Sequence, residues 1–137
     1  EKLIGNKFNI RSASFIVSDK SMVKDTEFHL DVEDRDKLFD IDTNILTLNF
    51  PLFEFEQGFG HLEYKDLIGK TNLYKYNTGE IIVWDACKFE HRIEPFNLVK
   101  KYKYVMVSIN LSTDNIIAIT ALHNATTNQG NILRLNL

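Results

Sequence analysis

Apolar and polar residues alternate one for one along much of this chain, and no long stretch keeps the spacing of a helix. From Ile10 to Ser18 β-branched and small residues run without a helical period, which predicts a strand. Thr26 to Val32 predicts a second. Asn44 to Leu52 alternates most clearly, with Leu46, Leu48, Phe50 and Leu52 on an oily face and Ile45, Thr47 and Asn49 on a mixed one. Short strands follow at His61 to Lys65, entered through Gly58-Phe59-Gly60, at Thr71 to Tyr76 and at Glu80 to Trp84. Asn77-Thr78-Gly79 between the last two is the strongest hairpin signal, because Asn and Gly tolerate positive φ. Asp85 to Phe96 predicts a strand that Pro95 ends. Tyr102 to Leu111 predicts another, with Lys103, Val105, Val107 and Ile109 on the face expected to line the interior. Asn115 to Leu122 and Asn131 to Leu137 read as terminal strands around the polar run His123 to Gly130. Asp19 to Ser21, the charged Glu33 to Lys37, Asp66 to Lys70 and Asn97 to Lys101 are turns and loops. Eight or more short strands, with no repeat and no long helix, predict an all-β sandwich or barrel with few or no helices.

At 137 residues the chain has room for one domain, expected to span 1–137 with its core at about 10–112 and terminal strands at 113–137. Hydrophobic residues at 44% and charged residues at 26% place it among ordinary globular proteins and outside the disordered classes. A net charge of -3 supplies no global basic field, so nucleic acid is not indicated, although Lys100, Lys101 and Lys103 are locally positive. A single cysteine, Cys87, excludes an internal disulfide and a thiolate zinc site, which fits the reducing cytoplasm. No apolar run approaches the roughly 20 residues of a membrane span. The chain opens on Glu1, as an excised domain or processed product does, and its first residues lack the pattern of a signal peptide.

Candidate chemistry changes this picture in one place. On an extended segment His29 and Asp31, two apart, project the same way while Phe28 and Leu30 face the other. A third group, His91, would complete two imidazoles and one carboxylate, the ligand set of non-haem Fe(II) centres with open positions. His61 and Glu63 form a similar pair, but too few strands separate them from His91, and His61 is expected to be structural. His123 is expected in an exposed polar loop, and Cys87 has no neighbour to activate its thiol.

These residues occur in company. The run Tyr74 to Asp85, then His91-Arg92-Ile93-Glu94-Pro95-Phe96, then Tyr102 to Leu111 resembles the C-terminal half of the 2-oxoglutarate and Fe(II)-dependent oxygenases. That family has a double-stranded β-helix core, and the resemblance covers roughly residues 10–112. It implies that His29, Asp31 and His91 are the metal ligands. It also implies that a basic residue opening the strand after His91 binds the far carboxylate of 2-oxoglutarate, a role assigned to Lys103, with Lys100, Lys101 and Arg92 as competitors. The expected activity couples oxidative decarboxylation of 2-oxoglutarate to hydroxylation of a C–H bond, using Fe(II) and O2. The Asp31 carboxylate favours hydroxylation over halogenation. The substrate is a small molecule or peptide of unspecified kind, and the oligomeric state is left open. The rival reading is a metal-free jelly-roll binding or assembly module; a cupin would need a His-x-His pair that this chain lacks.

Overall fold

A computed structural model describes residues 7–18, 26–33, 45–54, 59–97 and 104–127. Seven strands and one helix are assigned among them: β1 (Asn9–Ser18), β2 (Ile45–Pro51), β3 (Leu62–Lys65), β4 (Thr71–Tyr74), β5 (Ile82–Asp85), β6 (His91–Ile93), β7 (Tyr104–Ser112) and α1 (Ile116–Thr127). The strands form a four-stranded sheet ordered β1-β7-β2-β5 and a three-stranded sheet ordered β4-β3-β6. Every pairing is antiparallel. Consecutive strands repeatedly change sheet, as in the expected jelly roll, the double-stranded β-helix.

Side chains from both sheets meet in one aromatic core: Leu62 from one sheet, Trp84, Tyr104 and Met106 from the other, and Phe59 and Tyr76 from the connections. Gly60, which leads into β3, is required by this packing. A Cβ there would collide with the carbonyl oxygen of Glu94 and approach Ile93 Cγ2 and Phe96 Cδ1 to 2.6 Å each. The glycine is thus a close-approach residue as well as part of a turn.

Several expectations are corrected. The segment Asn115 to Leu122 is the start of α1, not a terminal strand. Its isoleucines favour a strand locally, but Asn115 Oδ1 accepts the Ile117 N–H at 2.8 Å and caps the helix. Ala118, Ala121 and Leu122 then fall on one face at helical spacing and bury against Val32, Ile45, Ala86 and Cys87. His123, expected in a loop, is an exposed residue of this helix. The terminal strand at 131–137 and the turn at 19–21 lie outside the described residues.

Asn77 to Gly79 does turn, with Glu80 N–H donating to Asn77 O at 3.2 Å and Gly79 at φ +86°. It nonetheless joins β4 in one sheet to β5 in the other and makes no hairpin. The hairpin is at Asp66 to Lys70, between β3 and β4, where Asp66 Oδ1 accepts the backbone N–H groups of Ile68 and Lys70 and Gly69 takes φ +80°. Thr26 to Val32 is extended, but its ladder pairing is a single bridge, His29 to His91.

On β2 the interior face is the mixed one. Ile45, Thr47, Asn49 and Pro51 are buried, whereas Leu46, Leu48 and Phe50 are half-buried on the other side. In β7 the interior takes Tyr104, Met106 and Ser108, with Val105 and Val107 opposite. Two faces follow from alternation alone; which one is interior depends on the elements stacked against it.

Candidate metal centre

His29 and His91 sit directly opposite each other, each donating its backbone N–H to the other's carbonyl oxygen at 3.0 Å. This hydrogen-bonded pair sets the imidazoles side by side, with ring centroids 4.7 Å apart. Asp31 completes the cluster, and one ligand atom from each of the three lies within 4.8 Å of the others. Among the described residues this is the sole group of at least three such side chains with that geometry.

The local hydrogen bonds prepare both imidazoles in the same way. His91 Nδ1 is 3.0 Å from Phe89 O, and His29 Nδ1 is 3.3 Å from Glu27 O, in each case the carbonyl two residues earlier. A carbonyl can only accept, so Nδ1 carries the proton in both rings and Nε2 is left for a metal. His91 is buried and His29 exposed. One ligand therefore belongs to the core and one to the mouth of the site.

Asp31 uses its oxygens differently. Oδ2 accepts the Thr47 hydroxyl at 2.7 Å and the Trp84 indole N–H at 2.8 Å, while Oδ1 lies 3.4 Å from His91 Nε2. Burial pushes the Asp31 carboxyl up, but the His91 hydrogen bond and charge, with the Thr47 and Trp84 donors, outweigh it and hold the group below its usual value. Burial pushes His91 down, and the Asp31 hydrogen bond and charge raise it above its usual value. Without metal the two form an ion pair whenever His91 is protonated. A divalent cation would replace the shared proton, and the donor set of two imidazole nitrogens and one carboxylate oxygen fits such an ion.

The cluster opens into a cavity of about 250 Å³ between the sheets. Thr47, Asn49, Tyr104, Met106, Ser108 and Asn110 line its four-stranded side, and Leu122, Ala125 and Thr126 of α1 close one end. Burial raises the Tyr76 and Tyr104 hydroxyls well above the usual tyrosine range, so both stay protonated at neutral pH.

Of the residues singled out in the sequence, His29, Asp31 and His91 converge. Lys103, with Lys100 and Lys101, lies outside the described residues, and Val105 and Val107, whose face it was expected to share, are not among the cavity residues. Arg92 is committed elsewhere: Nε donates to Glu63 Oε2 at 2.6 Å, NH1 donates to Thr26 O at 3.1 Å, and the guanidinium lies over the Phe28 ring. Glu63 is therefore an ion-pair partner. The His61 ring accepts the Tyr76 N–H at 3.2 Å, a structural role. Cys87 is buried, and burial pushes its thiol up to about 11, which removes it as a nucleophile. Thr47, Trp84 and Asn110 were not anticipated at the site. The mixed face assigned to Thr47 and Asn49 was the available signal.

The fold and the three-residue cluster together define a class, the double-stranded β-helix with a potential two-histidine, one-carboxylate centre. No protein-family model and no curated protein matches the chain. Solved structures do. A Pseudomonas putida prolyl-4-hydroxylase aligns with a TM-score of 0.56 at 15% identity, covering 74% of this chain and 51% of the other. The non-heme monooxygenase ThoJ, solved as a nickel complex, aligns with a TM-score of 0.57 at 12% identity, over 81% and 46%. An oxidoreductase of the 2OG-Fe(II) oxygenase family from Burkholderia pseudomallei aligns with a TM-score of 0.56 at 15% identity, over 80% and 47%. The chain thus has the fold of the 2-oxoglutarate and Fe(II)-dependent oxygenases and spans about half the length of these structures.

Proposed function

We propose that this chain is the catalytic core of an Fe(II)- and 2-oxoglutarate-dependent hydroxylase. The observation that carries the reading is the convergence of His29, Asp31 and His91 at one end of a cavity in an oxygenase-type fold. His29 and His91 would bind Fe(II) through Nε2 and Asp31 through Oδ1. When bound, iron with 2-oxoglutarate and O2 would supply oxidative decarboxylation to succinate and CO2 coupled to hydroxylation of a C–H bond.

The chain's own residues have three tasks. The carbonyls of Glu27 and Phe89 orient the imidazoles. Trp84, packed at 5.0 Å between ring centroids against His91, with Leu62 and Met106, keeps water from the inner side of the site. Hydroxyl and amide groups of Asn49, Tyr104 and Ser108 line the cavity where a dicarboxylic acid would lie. The far carboxylate is assigned to a lysine of the 100–103 cluster, with Lys103, which opens the strand after His91 in the sequence, as the first candidate. The commitment of Arg92 to Glu63 supports a lysine over that residue. A small-molecule or peptide C–H group would enter past His29 on the exposed side.

Anaerobic titration with Fe(II) and then 2-oxoglutarate tests this function. The expected result is the visible charge-transfer band of the chelated cosubstrate, followed by iron-dependent succinate formation in air. A metal-free binding module would give neither. Exchanging Lys100, Lys101 and Lys103 singly for Ala identifies the anchor as the variant that needs far more 2-oxoglutarate while holding iron normally.

A further inference from the structure

Directly opposite one another across the four-stranded sheet stand Ser12 of β1, Asn110 of β7, Thr47 of β2 and Trp84 of β5. Their side chains join edge to edge. Asn110 Nδ2 is 3.0 Å from Ser12 Oγ, Asn110 Oδ1 is 3.1 Å from Thr47 Oγ1, and Thr47 Oγ1 and Trp84 Nε1 both reach Asp31 Oδ2. A hydroxyl carries one proton, and a carboxylate is the strongest acceptor within reach of Thr47. Thr47 therefore donates to Asp31, and the amide of Asn110 is best satisfied with its nitrogen turned to Thr47 and its oxygen to Ser12. In that orientation each group of the row donates toward the carboxylate: Ser12 to Asn110, Asn110 to Thr47, Thr47 to Asp31.

We infer that Thr47 and Trp84 are positioning residues that hold Asp31 to a single ligating oxygen. The inference rests on the metal-site reading above. Two donors at 2.7 and 2.8 Å occupy Oδ2 from the sheet side and leave Oδ1, beside His91, as the oxygen directed at the metal position. The consequence is a matter of coordination number. At a six-coordinate ion, two imidazoles and one carboxylate oxygen would take three positions and leave three, enough for a chelating 2-oxo acid and one further small ligand. If the carboxylate used both oxygens, a position would be lost and the two could not bind together. Direct opposition on adjacent strands aligns the two donors, so the register of β2 with β5 sets the ligation mode.

Mn(II) alone is the probe, used with the full chain. Free Mn(II) is followed by its electron spin resonance signal, and the number of exchangeable metal-bound waters by water-proton relaxation. Thr47→Val removes one donor and retains the shape of the side chain, Trp84→Phe removes the other and keeps one aromatic ring, and the double variant removes both. The double variant is expected to hold one water fewer per Mn(II) than the parent, each single variant an intermediate number, and Thr47→Ser the parent number. Affinity is expected to change by up to roughly 10–100-fold, the usual range for residues that orient a ligand. A row that only fills the core would lower the melting temperature and leave the water number alone. The parent water number in the double variant, or in both single variants if the double does not fold, overturns the inference. Failure of the parent chain to bind Mn(II), or parent-like binding by Asp31→Ala, overturns the metal site itself, and this inference with it.

Discussion

The two oxygens of Asp31 do different work, and so do the two states of its neighbour His91. The Asp31 pKa is lowered from 3.8, so its stabilising contribution is present above that value and lost as the pH falls through the lower folded one. The His91 pKa is raised from 6.5, so its contribution is complete below 6.5 and is lost as the pH rises through the higher folded value. The metal-free protein is thus expected to be most stable between these limits and to lose stability as the pH rises above 6.5. Mn(II) affinity should increase over the same upper range, because the ion needs an unprotonated His91. Melting curves from pH 4 to 8, with and without Mn(II), check both; a metal-free melting temperature that does not fall above pH 6.5 would contradict the ion pair. Substitution separates ligand from structural pair. Asp31→Ala should abolish tight Fe(II) binding, whereas His61→Ala and Glu63→Ala should hold iron within a few-fold of the parent, measured as metal content after anaerobic purification. Iron kept by Asp31→Ala and lost from Glu63→Ala would reverse the assignment.

Among the elements, α1 shows how a strand-like composition yields to capping and burial. Its β-branched residues are poor helix formers, yet Ala118, Ala121 and Leu122 are at most 6% exposed. They pack where β2 begins and β5 ends, next to Val32 and just beyond Asp31. Asn115→Ala removes the cap and should cost about 1 kcal/mol, lowering the melting temperature by roughly 3 °C. Mn(II) affinity should stay near the parent value, since the cap touches no ligand. An unchanged melting temperature would show that packing alone holds the first turn.

For the whole molecule, the four-stranded sheet mixes polar and aromatic residues where it faces the site and is largely apolar on its outer face. Phe15, Val107 and Phe50 form one outer row, and Ala13, Ile109, Leu48 and Val83 another. Phe15 is 64% exposed and Val83 47%. Under the proposed function a divalent cation would add stability by binding the folded chain alone. Mn(II) at a hundred times its dissociation constant should add about 2.7 kcal/mol and raise the melting temperature on the order of 10 °C, increasing with the logarithm of concentration. No shift at neutral pH would favour the metal-free module. Among the described residues no helix is long and apolar enough to cross a membrane.

Strand existence and the identity of the converging trio were legible from the sequence, because alternation is local and because His29 and Asp31 lie two apart on one extended segment. The same local signals could not say which face of β2 or β7 is interior. That choice depends on what the opposite sheet offers, and here a cavity of mixed lining took Thr47, Asn49 and Ser108 while leucines and valines went outside. Nor could they separate a hairpin from a crossing at Asn77 to Gly79, since the same turn serves both and the partner strand decides. The helix at Ile116–Thr127 follows from a surface of Val32, Ile45 and Ala86 that only the folded chain assembles. The two donors on Asp31 come from positions 47 and 84, far apart in sequence and adjacent only by register. Sequence by itself determined which groups can bind metal; tertiary structure decided how the carboxylate is held, because hydrogen-bond geometry across strands has no local code.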